Sequence, residues 1–294
     1  MKDNRVPLQA HLSMFAAEAI WGLMAPVGKA AMNSGFDGIS VVSFRVVGAA
    51  LLFWVASLIG PREHIPVRDI VKLAGAALLG IVFNQGLYNI GLSITSPVNA
   101  SIVTTSMPIF AMVLSFFILK EPITWKKALG VAIGCGGALI LILSSAHAGS
   151  AKVGNIRGDL MCFGAQFSFA LYLALYNPII RKYNVFTVNK WMFTWASLFV
   201  LPFTSWHVSQ LPWTTFTAAT WLEVGYVVVF GTFVGYLLSV VAQRVLRPTV
   251  VSVYNYVQPI VSVIVSVAVG LSVFTLPQGV AVILVFSGVW LVIK

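Results

Sequence analysis

The sequence predicts an all-α integral membrane protein with ten transmembrane helices, arranged as two inverted five-helix repeats. Three observations lead to this fold class: an apolar composition, long stretches without charge, and an internal repeat. Hydrophobic residues make up 59% of the 294 residues and charged residues only 9%, whereas soluble domains carry about 25% charged residues. A water-facing fold of this size is therefore excluded.

The charge-free stretches set the number of spans. A membrane-spanning helix needs about 20 apolar residues. Residues 73–119 and 248–293 contain no Asp, Glu, Lys or Arg, so each must hold two helices with a turn between them. The predicted spans are 9–32, 39–60, 70–93, 97–119, 125–145, 158–180, 188–205, 216–239, 248–270 and 275–293.

The net charge of +10 is explained by topology and does not indicate a nucleic-acid partner. With a cytoplasmic N-terminus, most Lys and Arg residues fall at the inner ends of the predicted spans, as the positive-inside rule requires. Both termini are then cytoplasmic. The expected environment is the lipid bilayer of a bacterial inner (plasma) membrane.

An internal repeat divides the chain into residues 1–147 and 148–294. A shift of 151 positions places Pro97 on Pro248 and Pro108 on Pro259, with matching glycines and serines around them. Each half holds five predicted helices, and this odd number makes the second half enter the membrane from the opposite side. Inverted repeats of this kind are common in secondary transporters, where the substrate site lies between the halves.

Several segments resemble the EamA family of the drug/metabolite transporter superfamily. They are Trp21-Gly22 with Lys29, Ser43-Phe44-Arg45, the stretch 95–101 leading to Pro108, and the stretch 117–139. The resemblance covers essentially the whole chain. It implies ten helices in two repeats and export of small metabolites, amino acids or toxic compounds from a bacterial cytoplasm.

Two prolines predict interrupted helices at the centre of the membrane. Pro108 and Pro259 each lie twelve residues into a span, and each leaves the carbonyl four residues earlier without its usual helix partner. Paired interruptions are a sequence indication of a transport site and gate. The polar residues predicted to line a cavity beside them are Ser101, Thr104, Thr105, Ser252, Asn255 and Tyr256. The alternative for each is a hydrogen bond between helices.

Further cavity residues are predicted from other spans. Asn84 and Tyr88 lie four residues apart and share one helix face. Trp21 and Tyr254 are candidates for a pocket that accepts apolar or aromatic groups. Packing within the bundle is the alternative for these aromatic side chains.

Glu18 and Arg45 are the ionisable groups placed deepest in predicted spans. Charged groups inside a bilayer are costly and commonly functional. One hypothesis pairs Glu18 with Arg45 as a fixed brace between neighbouring helices. The other places Glu18 in the cavity, where it binds a substrate amino group or exchanges a proton. A neutral, hydrogen-bonded Glu18 is a third alternative.

The function predicted from the sequence is a secondary transporter that exports small organic metabolites, with amino acids as the leading class, by alternating access. A channel-like permease or a multidrug exporter is the alternative. An enzyme is not predicted, because no catalytic motif and no phosphate-binding loop occurs in the sequence. Neither a cofactor nor a metal is predicted, the expected partner is a small-molecule substrate, and proton coupling and oligomeric state stay open.

Overall fold

The computed structural model describes residues 8–60, 63–95, 100, 103–146, 155–268 and 276–293, which contain helices, turns and short connections but no β-strand. The helical segments are α1 (Leu8–Asn33), α2 (Gly38–Ala56), α3 (Val67–Ile94), α4 (Met107–Leu119), α5 (Trp125–Ala146), α6 (Ile156–Lys182), α7 (Val185–Ser209), α8 (Ala218–Gln243), α9 (Pro248–Val253, Tyr254–Tyr256 and Val257–Ala268) and α10 (Leu276–Ile293). The all-helical prediction is confirmed for this part of the chain.

Five of these segments, namely α2, α3, α6, α8 and α10, are long and apolar enough to cross a membrane. Large apolar side chains also cover the outside of the bundle; Ile59, Phe203 and Leu276 are among the most exposed. A soluble protein rarely exposes so much apolar surface. The chain is therefore a multi-pass membrane protein, while the count of ten spans stays a prediction.

The two halves of the chain do not form separate helix bundles, because helices of one half pack directly against helices of the other. The first helix of each half lies against the third helix of the other half, so α1 contacts α8 and α6 contacts α3. Helices at equivalent positions also meet: α2 packs on α7, and α5 on α10. A single interface thus runs through the centre of the molecule.

Some residues at equivalent repeat positions touch directly. Three hydrogen bonds join residues 151 positions apart: Gln85 Nε2 to Tyr236 OH (2.8 Å), Asn255 Nδ2 to the Thr104 carbonyl (3.0 Å), and Ser197 Oγ to the Val46 carbonyl (3.5 Å). These contacts mark the centre of the interface between the halves.

Helices α3 and α8 each contain one π-helical turn, at Leu78–Phe83 and Val229–Val234. The two turns are offset by 151 residues, the shift found in the sequence. Such turns are rare and frequently lie at functional sites. The repeat found in the sequence is therefore also present in the backbone conformation of these two helices.

Aromatic side chains from the opposite half bind the carbonyls of these π turns. The Tyr236 hydroxyl donates to the Gly80 carbonyl (3.2 Å), and the Trp21 indole N–H donates to the Gly231 carbonyl (2.8 Å). Gly80 and Gly231 are equivalent in the repeat. A π turn shifts the normal helical partners of its carbonyls, so an external donor satisfies each one.

Glycines allow a close helix contact between α5 and α10. A Cβ added at Gly137 would lie 2.9 Å from the Ala281 carbonyl oxygen, and one added at Gly288 would lie 2.6 Å from the Gly130 carbonyl oxygen. Gly137 and Gly288 are again equivalent positions. Small residues of this kind let helix backbones approach within a membrane.

Candidate transport site

A cavity of about 140 Å³ lies between helices of both halves. Its polar wall consists of acidic, basic, amide and hydroxyl side chains: Glu18, Arg45, Asn84, Gln85, Tyr88, Asn89, Thr104, Gln166, Tyr236, Asn255 and Gln258. Its remaining wall consists of Trp21, Gly22, Met24, Gly28, Met32, Val41, Leu92, Met107, Phe169 and Pro259. Ionisable and apolar groups thus share one small chamber.

Glu18 projects from α1 into this cavity and is 2% exposed. One carboxylate oxygen, Oε2, accepts a hydrogen bond from Gln258 Nε2 at 2.6 Å. The same Gln258 amide also donates to Asn255 Oδ1, and Asn255 in turn donates to the Thr104 carbonyl. This chain of hydrogen bonds fixes the position of Oε2. Within the described residues, the other oxygen, Oε1, has no protein partner.

Arg45 projects from α2 into the same cavity and is 4% exposed. Its Nε donates to the Thr232 hydroxyl at 3.0 Å, and that hydroxyl donates onward to the Val227 carbonyl. Thr232 belongs to the π turn of α8, so the turn positions the guanidinium. The two Nη groups of Arg45 have no hydrogen-bond partner in the described part of the chain.

The predicted ion pair between Glu18 and Arg45 is absent from this conformation. No contact within 4.0 Å joins their charged atoms in the part of the chain that the structure describes. Each side chain is instead held by a neutral partner from the second half, Gln258 or Thr232. The fixed-brace hypothesis therefore lacks its contact, because both charged groups turn toward the cavity.

The structure places the other predicted site residues in two groups. Trp21, Asn84, Tyr88, Thr104, Asn255 and Pro259 line the cavity with Glu18 and Arg45. Thr105, Pro108, Ser252, Tyr254 and Tyr256 lie outside its lining. Ser101 lies outside the described residues.

The residues outside the lining have other contacts. Thr105 lies 3.7 Å from the Cys135 sulfur, and Ser252 donates to the Thr249 carbonyl. The Tyr256 hydroxyl donates to the Val131 carbonyl, and the Tyr254 hydroxyl bonds to His11. Pro108 is buried at the start of α4.

A change of helical phase explains why each predicted polar stripe separates. Turns at Thr105–Ser106 and Tyr254–Tyr256 interrupt the helices just before the two prolines. A face drawn at a constant 3.6 residues per turn does not continue through such a break. Thr105 and Tyr256, which lie within these breaks, consequently contact other helices, whereas Thr104, Asn255 and Pro259 face the cavity.

Comparison with known proteins identifies the family. A sequence profile described as the EamA-like transporter family matches residues 8–143 and again residues 156–294. The chain belongs to this family. The two matches also confirm the family resemblance drawn from the sequence and give the chain two EamA repeats.

Relatives of this EamA protein occur in archaea, bacteria and plants. An uncharacterized transporter of Archaeoglobus fulgidus is 26% identical over 74% of each chain, and the uncharacterized transporter YetK of Bacillus subtilis is 22% identical over 87% of this chain and 78% of its own. The Arabidopsis thaliana protein WALLS ARE THIN 1 is 25% identical over 71% of this chain and 56% of its own. A crystal structure covering 96% of this chain and 95% of its own has a TM-score of 0.76 at 17% identity, which shows a common fold.

Several cavity residues of this EamA protein were not predicted from the sequence. Gln85, Gln166 and Gln258 line the cavity, and Thr232 positions Arg45. The repeat gave an indication for one of them, because Gln85 is equivalent to Tyr236 in the sequence. In the structure the two side chains form a hydrogen bond. The sequence indication for Gln258 was weaker: this residue precedes Pro259 and lies three positions after Asn255.

Contacts between the two repeats close the end of the bundle predicted to be cytoplasmic. Asp69 Oδ2 accepts hydrogen bonds from Lys182 Nζ and the Tyr183 hydroxyl, both at 2.6 Å. Glu121 accepts a hydrogen bond from the Thr249 hydroxyl (3.4 Å) and forms an ion pair with Lys127 at 3.5 Å. No cavity-lining residue comes from this layer.

A second cavity, of about 380 Å³, lies at the opposite end and shares Met32 with the first. Asp37 and His207 line it and contact each other at 2.9 Å. Partial burial opposes ionisation of Asp37, but bonds from Ser40 and His207 outweigh it and hold the pKa of this carboxyl below its usual value. The predicted outer end thus has cross-repeat contacts as well, such as Asp37–His207, but it also has open space beside them.

Proposed function

We propose that this protein is a secondary transporter that exports small organic metabolites, with amino acids and related compounds as the leading class. Transport occurs by alternating access between two inverted five-helix repeats across the membrane. The observation that carries the proposal is the cavity between the repeats, where Glu18 and Arg45 are buried but not paired with each other. Buried charges in membrane proteins commonly mark substrate and ion pathways.

The arrangement of the repeats supports alternating access. Equivalent residues such as Gln85 and Tyr236 touch near a central axis, so each half can take the conformation of the other by a rocking motion. The cavity extends from mid-helix toward Met32, and the Asp69–Lys182 contact closes the other end. With the predicted topology, this is an outward-facing state, and its inner contacts break in the inward-facing state.

The size of the cavity favours small metabolites over drugs. Pockets for drug-sized ligands measure roughly 300–1,000 Å³, and the central cavity here measures about 140 Å³. A channel is disfavoured because the inner layer interrupts any continuous path in this conformation.

Glu18 is the group proposed to couple transport to protons. Its Oε2 is held by Gln258, while Oε1 remains available to a substrate ammonium or to a proton. Binding of one would displace the other, which produces exchange of substrate for protons across the membrane. In this scheme the proton and the substrate use the same carboxyl group in turn.

The experiment that tests this function is counterflow in liposomes containing the purified protein. Liposomes preloaded with single L-amino acids, or with cationic drugs, are diluted into labelled solute with and without a pH gradient. We expect saturable counterflow of amino acids that responds to the gradient. Flux without saturation or counterflow for every solute would contradict a transporter and favour a channel.

The variant Glu18→Gln sharpens this test because it keeps the shape of the side chain and removes its charge. We expect folded protein whose counterflow falls at least about tenfold, since hydrogen bonds to charged groups contribute about 1.5–3 kcal/mol. The matched control is Glu223→Gln, which changes a carboxyl outside the cavity. Normal, pH-dependent counterflow in Glu18→Gln would remove Glu18 from the mechanism.

A further inference from the structure

Among the residues that the structure describes, no anion contacts Arg45. A guanidinium has five N–H donors, and the structure supplies Arg45 with one neutral acceptor, the Thr232 hydroxyl. The nearest acid on the cavity wall, Glu18, is bound elsewhere through Gln258. A buried cation inside a membrane span is costly unless it is paired or faces a water-filled cavity. Here the Nη groups belong to a cavity-lining side chain.

We propose that Arg45 is the carboxylate anchor of the transport site and that Glu18 is its ammonium anchor, so that the cavity selects zwitterionic α-amino acids. This inference rests on the proposed function and deepens it. A guanidinium presents two parallel N–H groups to a carboxylate, which gives strong bonds and fixed geometry. Glu18 Oε1 accepts from the ammonium, and one substrate neutralises both buried charges.

The rest of the cavity wall suits the third substituent of an amino acid. Apolar side chains (Met24, Met32, Leu92 and Phe169) lie on the same wall as the amides of Gln85 and Asn89. Methionine side chains adapt to ligands of different shape. The two charged anchors therefore define the class of substrate, and the apolar lining tolerates variation in its side chain.

The anchors also exclude compounds that carry only one of the two charges. An amine without a carboxylate brings a second cation to Arg45, and an acid without an ammonium brings a second anion to Glu18. Placing like charges together in a buried site costs several kcal/mol and serves as a basis for selectivity. Cationic drugs are rejected for the same reason.

The test measures binding to the purified protein in detergent, so that membrane permeation of the probes has no influence. The twenty standard L-amino acids are screened by ligand-induced thermal stabilisation. Dissociation constants are then measured for the tightest binder, for the amine formed by its decarboxylation, and for the acid that lacks its amino group. We expect the amino acid to bind at least about tenfold more tightly than either analogue.

Variants assign each anchor separately. Arg45→Gln should weaken amino-acid binding at least about tenfold and abolish the preference for the amino acid over the amine. Glu18→Gln should abolish the preference over the acid instead. Arg157→Gln, which removes an exposed guanidinium outside the cavity, is the matched control and should bind like the native protein.

Arg45→Lys keeps the experiment informative if Arg45→Gln does not fold. It retains the charge but loses the two-pronged geometry, so affinity should fall while the preference for the amino acid over the amine persists. Two results would overturn the inference: no amino acid binds, or Arg45→Gln weakens the amino acid and the amine equally. Counterflow of another class of solute alongside either result would leave the transporter function standing.

Discussion

The two repeats share a backbone design but differ in the charges that they bring to the cavity. Their π turns fall at equivalent positions, and Thr104 touches its equivalent, Asn255. The ionisable groups have no such counterparts. At the shift of 151 residues, Ala196 stands where the first half has Arg45. Near the start of each half, where Pro26 aligns with Pro178, the shift is 152 residues and Ala170 stands where the first half has Glu18. Both alanines are fully buried.

In the proposed mechanism, the backbone features that both repeats share permit motion, and the charges that only the first repeat carries give selectivity. Equivalent backbones are needed if the halves are to exchange conformations, and they are preserved at the interface. Charges doubled by symmetry would leave two acids and two arginines in one small cavity. The second repeat instead supplies neutral partners, Gln258 and Thr232, which orient the charges of the first.

The first prediction concerns the features that the two repeats share. We expect the largest loss of stability at the α5–α10 contact, which equivalent glycines of both repeats form. Gly137→Ala and Gly288→Ala each place a methyl group against a backbone carbonyl, at 2.9 and 2.6 Å. Overpacking of this kind costs about 1–3 kcal/mol. Both variants should therefore show clearly lower thermal stability and folded yield in detergent.

The control for these glycines is Gly136→Ala, on the same helix, where an added Cβ meets nothing within 4 Å. Its stability should be unchanged or slightly higher, because alanine favours helix by up to about 1 kcal/mol over glycine. A large loss in only one of Gly137→Ala and Gly288→Ala would show that the contact is not shared evenly between the repeats.

A smaller effect is expected at the paired prolines. Pro259 lines the cavity beside Gln258, whereas Pro108 occupies the first turn of α4, where a backbone N–H has no helix partner in any case. Pro259→Ala should raise the KM for transport several-fold, and Pro108→Ala should change it less. Counterflow at a series of substrate concentrations measures both. Equal effects would mean that the kinks themselves, rather than the cavity wall, control binding.

Much of the fold could be predicted from the sequence because lipid imposes simple rules. Charge-free stretches predicted helices that the structure contains, and the two π turns are offset by the same 151 residues as the sequence repeat. The family followed from loosely spaced motifs and is confirmed by two profile matches. Span orientation and the inverted arrangement stay predictions, since they depend on a membrane.

The candidate site was less predictable because local breaks reset the helical phase. Thr104 and Asn255, both predicted as cavity residues, lie in its lining, whereas Thr105 and Tyr256, within the interruptions, pack elsewhere. For Glu18 the sequence left three alternatives open, namely a pair with Arg45, a place in the cavity and a neutral acid. Their neutral partners, Gln258 and Thr232, could not be recognised without the π turn and the kink that position them.

The most direct test of the central claim is whether substrate protects the cavity from chemical modification. In a background without Cys135 and Cys162, one variant carries Met32→Cys on the cavity wall and another carries Ser209→Cys on the exposed end of α7. An impermeant thiol reagent is added to intact cells with and without the amino acid that shows counterflow. We predict that both cysteines react from outside and that the amino acid slows only the reaction at position 32. Equal rates at position 32 with and without substrate would contradict a binding site between the repeats.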